Sequence, residues 1–211
     1  MNLQDIFDLL KSKGQMQKEE DVLNVYPYGS RVYGTDNERS DYDFIVVMKS
    51  AFLQGGAFKQ NAISCEDRKL QLVLYSRTGF IDAINNFEIA ALECLSLPDE
   101  KVLLKKWPFK IQKWDEKALA KSIITKASNS WLIASRQSVD GMKLAAKKGI
   151  FHALRILDFG LQLKENQRID NFKSVNFLKK EFEETVDEKF DTRDYIPTRD
   201  DLIKMLRNET I

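Results

Sequence analysis

The sequence predicts an α/β (α+β) chain, with a strand-bearing first half followed by a C-terminal helical region. Three observations carry this expectation. The run Val22-Leu23-Asn24-Val25-Tyr26-Pro27-Tyr28 is rich in β-branched and aromatic residues and stops at a glycine, as a strand does. Tyr42-Asp43-Phe44-Ile45-Val46-Val47-Met48 has an unbroken apolar tail, the mark of a buried strand. From Asp115 onward apolar residues recur at three- and four-residue spacing, which is the helical period.

The elements follow in order. Residues 1–10 carry acids early and read as an amphipathic helix, without the basic start, long apolar core or cleavage site of a leader peptide. After the strand at 22–28, Gly29-Ser30 marks a strand-to-helix turn, and Gly34 with the polar run 35–40 ends it before the strand at 42–48. Residues 58–76 read as a hairpin, 77–96 contain helix, and Val102-Leu103-Leu104 is a short strand. Helices are expected at 115–136, 139–163, 172–182 and 198–206, despite Gly141, Gly149 and Gly160. The acidic stretch 181–194 reads as a solvated helix end and loop. The expected division is a catalytic core over 1–110 and a helical domain over 111–211.

Composition narrows the class. A chain of 211 residues, 43% hydrophobic and 31% charged, suits one larger domain or two small ones. No stretch is long and apolar enough to span a membrane. Cys65 and Cys94 lack Cys-x-x-Cys spacing and share the chain with a single histidine, which argues against a zinc site or a disulfide framework and for reduced, buried thiols in a cytoplasmic protein.

The net charge of +1 hides an uneven distribution, because residues 105–165 hold 13 basic and 5 acidic groups. Within it Lys105, Lys106, Lys110, Lys113, Lys117, Lys121 and Lys126 are interleaved with Trp107, Phe109 and Trp114. That mixture suits a phosphate backbone with stacked bases. The same residues also suit packed aromatics beneath a hydrated lysine face, the commoner use of such a run.

The chemistry concentrates between Gly29 and Val47. Glycine allows backbone N–H groups to approach an anion closely, the helix that follows offers its positive end, and the Ser30 hydroxyl adds a donor, so Gly29-Ser30 forms a cradle for a triphosphate. Asp41 and Asp43 stand at the mouth of the next strand. Residues two apart on a strand share a face about 6.5 Å apart, so both carboxylates converge on one site. Two divalent ions roughly 4 Å apart fit between such groups. Oxygen ligands favour Mg2+ or Mn2+ over zinc. Asp-x-Asp alone is common by chance, and the competing reading is a turn aspartate with a strand-edge one; the order of strand, Gly-Ser, spacer, Ser-Asp-x-Asp and strand favours the site.

Gly29-Ser30 before Asp41-Tyr42-Asp43 resembles the signature of the DNA polymerase β-like nucleotidyltransferase superfamily. The fuller string Gly29-Ser30-Arg31-Val32-Tyr33-Gly34 with Ser40-Asp41-Tyr42-Asp43 resembles the RNA-ligase-associated branch. Leu74-Tyr75-Ser76, Ala91-Leu92-Glu93-Cys94-Leu95-Ser96-Leu97-Pro98, Lys147-Lys148 and His152-Ala153-Leu154-Arg155 agree with it. The resemblance implies a small mixed-sheet nucleotidyltransferase core in which Asp41 and Asp43 hold Mg2+ or Mn2+. It implies transfer of a nucleoside monophosphate from an NTP, with ATP the expected one, to an acceptor hydroxyl with release of pyrophosphate. RNA is the expected acceptor, helped by the basic segment, and a protein acceptor is a further possibility.

Residue by residue, the resemblance implies that Lys148, His152 and Arg155, at i, i+4 and i+7 of one helix, contact the nucleotide, with Arg31 a further phosphate ligand. By composition alone, a lone histidine beside apolar neighbours is more often a packing residue, and Arg31 equally suits an ion pair with a nearby acid. Glu93 reads as a carboxylate paired with a basic neighbour. One position departs from the pattern: the superfamily's third carboxylate falls on Gln71, which carries no charge and cannot act as a base. Glu66 and Asp67 replace it only if the strand register slips. A degenerate member that binds nucleotide or RNA without turnover is therefore an alternative.

Overall fold

A computed structural model of the chain describes residues 1–49 and 60–208. It forms two compact units, Met1–Asn85 with Ala90–Lys113, and Asn86–Ile89 with Trp114–Ile211.

The first unit is built on a five-stranded mixed sheet. The strands are β1 (Val22–Tyr28), β2 (Tyr42–Met48), β3 (Gln60–Cys65), β4 (Leu70–Ser76) and β5 (Leu104–Lys105), ordered β3-β4-β2-β1-β5. β2 and β4 are parallel, and the other neighbours are antiparallel. Helix α1 (Leu3–Ser12) starts at an Asn2 and Asp5 capping box, and packs Ile6, Phe7, Leu9 and Leu10 against Phe44, Val46, Leu70, Leu72 and Leu74 on one sheet face. The alternate residues Ile45, Val47 and Tyr75 face the other way, so both faces of the central strands are buried. There Phe80 of helix α3 (Arg77–Asn85) stacks on Tyr26 and meets Tyr75 and Phe109 edge-on, with ring centroids 5.8, 5.4 and 4.9 Å away. A single turn, α2 (Ser30–Tyr33), follows β1, and α4 (Ile89–Ser96) carries Glu93.

The second unit is helical. α5 (Glu116–Val139), N-capped by Asp115, and α6 (Lys143–Asn166) form a hairpin. Gly149 and Gly160 sit at the close approach: a Cβ on them would lie 2.6 Å from Ala134 Cβ and 2.5 Å from Ile123 Cγ2. Glycine thus costs about 1 kcal/mol of helix propensity at each site and permits the crossing. α7 (Asn176–Glu184) and α8 (Ile196–Arg207) complete the unit, where Phe182 meets Phe151, Phe190 and Tyr195 edge-on.

Several expected boundaries move. Val139 ends α5 instead of opening α6, because Gly141 at φ +80° turns the chain. α7 starts at Asn176; Phe172 and Val175, expected inside it, are buried in the approach to the helix. The last strand is Leu104–Lys105, since the Val102 N–H is taken by Asp99 O after a 3-10 turn. The acidic stretch 181–194 is not only solvated: Phe182, Phe190 and Thr192 are buried. Cys94 is buried and free as expected, but Cys65 is half-buried at a strand end. Residues 58 and 59 of the expected hairpin lie outside the described residues. No helix among the described residues is long and apolar enough to cross a membrane.

Phe80 is fully buried against three rings. Phe80→Ala is expected to lower unfolding free energy by about 3–5 kcal/mol in urea titration; a loss below ~1 kcal/mol would contradict this packing.

Candidate functional site

The register of the three central strands assembles the site. Tyr28 of β1 faces Asp43 of β2, and Asp43 faces Gln71 of β4. β1 therefore ends where β2 and β4 begin, and the Gly29-Ser30 turn is delivered to the carboxylates. Opposed residues share a sheet face, so Asp43 and Gln71 lie on the side of Ile45, Val47 and Tyr75, away from α1.

Gly29 takes φ +76° and ψ −157°, a backbone conformation that disfavours any side chain. A Cβ at this position would lie 2.2 Å from Asp43 Oδ2. Glycine is thus required twice, by conformation and by the carboxylate lying against it. The helix that follows has only four residues and closes at Gly34 in the left-handed region. This corrects the expectation of a dipole-bearing helix: one turn sums too few peptide dipoles to matter, and local backbone N–H groups and the Ser30 hydroxyl are what it offers.

Asp41 precedes β2, and Asp43 is its second residue. Their side chains are close enough to interact. The Asp43 carboxyl is held above the usual carboxylate range, first by burial and then by the Asp41 charge, with Arg31 pulling the other way. Both aspartates are half-buried, while Gln71 is exposed. Gln71 Nε2 donates to Asp41 Oδ2 at 2.8 Å, so the glutamine beside Asp43 also touches Asp41. Glu66 and Asp67 lie in a 3-10 turn between β3 and β4, outside this row.

Arg31 holds the loop that carries Asp41. Its Nη1 pairs with Asp36 Oδ2 at 3.2 Å, Nη2 donates to Ser40 O at 2.9 Å, and Nε donates to Asp41 O at 3.2 Å. The guanidinium also lies 3.8 Å from the Tyr42 ring centroid. Three of its five donors are spent on the loop, which favours a positioning role. Asn37 and Ser40 close the same loop on itself: the Asn37 N–H donates to Ser40 Oγ, and the Ser40 N–H to Asn37 O.

Glu93 is buried and accepts from the Tyr33 hydroxyl at 2.5 Å, so it braces the one-turn helix. The two residues are 60 positions apart, and no local pattern links them.

The other expected contacts belong to the second unit. Lys148 is exposed on α6, His152 is half-buried and Arg155 is buried. Arg155 Nη2 lies 2.7 Å from His152 Nδ1. A guanidinium only donates, so Nδ1 accepts and the His152 proton sits on Nε2. Burial, then Arg155 and Lys126, press the His152 pKa down to about 4, so the ring is neutral at pH 7. Lys147 is turned inward, to Thr185 O and to Asp187 Oδ1 at 2.7 Å.

The basic segment divides by residue type. Trp107 is covered by Arg77 at 3.8 Å and clamped by Asn24, whose side chain bonds both its N–H and its carbonyl. Phe109 packs on Phe80, and Trp114 on Phe87 at 5.6 Å. These aromatics are engaged in packing. Lys105 pairs with Asp99, and Lys106 donates to Glu19 O. Lys110, Lys113, Lys117, Lys121 and Lys126 are exposed.

The donors around Asp41 and Asp43 are oxygens, as Mg2+ or Mn2+ prefer. Among the described residues no group of three or more His, Cys, Asp or Glu side chains could hold a metal. The pair therefore fits an ion that arrives partly coordinated, for instance by phosphate.

A family model described as "Nucleotidyltransferase domain" matches residues 9–129, more than half of the chain, including Gly29, Ser30, Asp41, Asp43 and Gln71. Among solved structures, the chain is similar to a nucleotidyltransferase-like protein from Exiguobacterium sibiricum 255-15. That match has 10% identity, covers 97% of this chain and 74% of the other, and has a TM-score of 0.34, too slight a likeness to inform more. No curated protein matches at a significant level.

The raised Asp43 pKa has a sign. A carboxyl that is harder to ionise folded than unfolded weakens the fold once charged, and the penalty fades as pH falls toward the unfolded value near ~4. Asp43→Asn is expected to melt above the parent at pH 7–8, with the gap closing toward pH ~4. A lower melting temperature, or a gap independent of pH, would contradict the assigned strain.

Proposed function

The chain belongs to the nucleotidyltransferase domain family, and on that premise we propose that it transfers a nucleoside monophosphate from an NTP, with ATP preferred, to an acceptor hydroxyl, releasing pyrophosphate. The observation that carries this reading is Asp43, within reach of the Asp41 charge, set directly against the Gly29 backbone. Asp41 and Asp43 would hold Mg2+ or Mn2+, and so are the metal-binding and catalytic residues. Gly29 and Ser30 seat the triphosphate through local backbone N–H groups and the Ser30 hydroxyl, and the missing side chain of Gly29 lets that turn lie against Asp43.

The ion supplies charge neutralisation of the triphosphate and of the leaving pyrophosphate. The chain's own residues position. Arg31 fixes the Asp41 loop, Glu93 braces Tyr33, and neutral His152 offers its Nε2–H. Arg155, Lys148 and that Nε2–H are assigned to the nucleotide, on the strength of the His-Ala-Leu-Arg string. Catalysis of this kind is mostly placement and electrostatic stabilisation, so loss of either aspartate removes most of it.

RNA is the acceptor we favour, from the likeness to the RNA-ligase-associated branch and from exposed Lys110, Lys113, Lys117, Lys121 and Lys126. The packed aromatics move the support from base stacking to phosphate contact. We place the reaction in the cytoplasm, with its free cysteines. Gly29-Ser30 to Asp43 belong to the expected catalytic core 1–110, and His152 to the helical domain 111–211. One second reading has an observation of its own: Gln71 beside Asp43 favours a degenerate protein that binds nucleotide or RNA without turnover.

Incubation with α-phosphate-labelled NTPs, Mg2+ or Mn2+ and mixed RNA tests the choice. Label is expected in RNA, reduced by about 10²–10³-fold or more in Asp41→Ala and Asp43→Ala. Label on the protein itself would move the acceptor to protein, and nucleotide bound without any label transferred would select the degenerate reading.

A further inference from the structure

We infer that Gln71 makes this a one-cation site, in which a single divalent ion enters with the nucleotide and no second ion is held for the acceptor. The inference rests on the nucleotidyl-transfer reading of Asp41 and Asp43 and concerns how that site is loaded.

Gln71 stands next to Asp43 in the parallel register and donates through Nε2 to Asp41 Oδ2 at 2.8 Å. An ionised carboxylate can only accept, so the amide must turn its NH2 end toward Asp41 and its oxygen away. Two consequences follow. Asp41 Oδ2, one of the four carboxylate oxygens of the pair, is engaged by an N–H instead of being left for a metal. The positive end of an amide dipole also faces the Asp41 carboxylate, where it would disfavour a second cation. Turning the amide to offer Oε1 instead would break the bond to Asp41.

The charge of the protein side chains points the same way. Asp41 and Asp43 bring two negative charges, which one divalent ion balances, and no third carboxylate, histidine or cysteine joins them in a metal-holding group among the described residues. The pair of ions roughly 4 Å apart that the sequence led one to expect would have only these two carboxylates and the triphosphate to hold it. Gln71 thereby acts as a positioning residue: it fixes Asp41 and sets the number of ions.

The test counts ions instead of turnover. Bound Mn2+ is measured by electron paramagnetic resonance on the full chain with a non-hydrolysable ATP analogue, for the parent, Gln71→Glu, Gln71→Leu and Asp43→Asn. One Mn2+ per bound nucleotide is expected in the parent and in Gln71→Leu, and two in Gln71→Glu, which adds the missing charge at an exposed position. Two Mn2+ in the parent, or one in a folded Gln71→Glu, overturns the inference. If Asp43→Asn binds Mn2+ and nucleotide as the parent does, the site reading itself fails. Loss in Asp43→Asn alongside two ions in the parent spares that reading and overturns only the role of Gln71.

Discussion

The Asp43 carboxylate lies so close to the Gly29 backbone that a single added carbon would sit 2.2 Å from Oδ2, and the features around the site serve to keep that approach. The antiparallel register of Tyr28 on Asp43 brings the end of β1 to the start of β2. The parallel pairing of Asp43 with Gln71 fixes the other side. Tyr33 anchored on buried Glu93 stops the one-turn helix from drifting, and Arg31 ties the loop before Asp41 to the same turn. Burial first, and then the neighbouring Asp41 charge, disfavour the charged form of Asp43, which is why it resists ionisation. Stability is given up where a cation would restore it.

Much of this was written in the sequence. The strands at 22–28 and 42–48 were legible because apolar and β-branched runs bounded by glycine have few other uses, and both appear with those limits. The mixed sheet with a helical C-terminal region follows from them and from the change of period. Boundaries slipped where tertiary contacts override local pattern. Phe172 and Val175 fit a helical period yet are buried outside the helix, and Val139 falls on the far side of a turn set by Gly141. The Tyr33 contact of Glu93 was out of reach, because the two are 60 residues apart and only the topology joins them. Trp107 and Phe109 suited both packing and stacking, because composition cannot tell an exposed ring from one covered by Arg77 or Phe80.

Two kinds of arginine use emerge. Arg31 sits beside the site yet spends its donors on Asp36, Ser40 and Asp41, so its charge shapes the loop and softens the penalty on Asp43. Arg155 is buried and fixes the His152 tautomer through Nδ1, which leaves a neutral ring with its hydrogen on Nε2. A planar guanidinium suits both tasks, since it offers several donors in fixed directions, and lysine would serve neither.

The central claim is that one divalent ion and a triphosphate meet between the two aspartates and the Gly29 turn. A crystal grown with a non-hydrolysable ATP analogue and Mn2+, examined for anomalous scattering, tests it most directly. The account predicts a Mn2+ peak bonded to both Asp41 and Asp43, with the triphosphate lying over Gly29 and Ser30. Nucleotide bound elsewhere, or bound here with no metal at the aspartates, would contradict it.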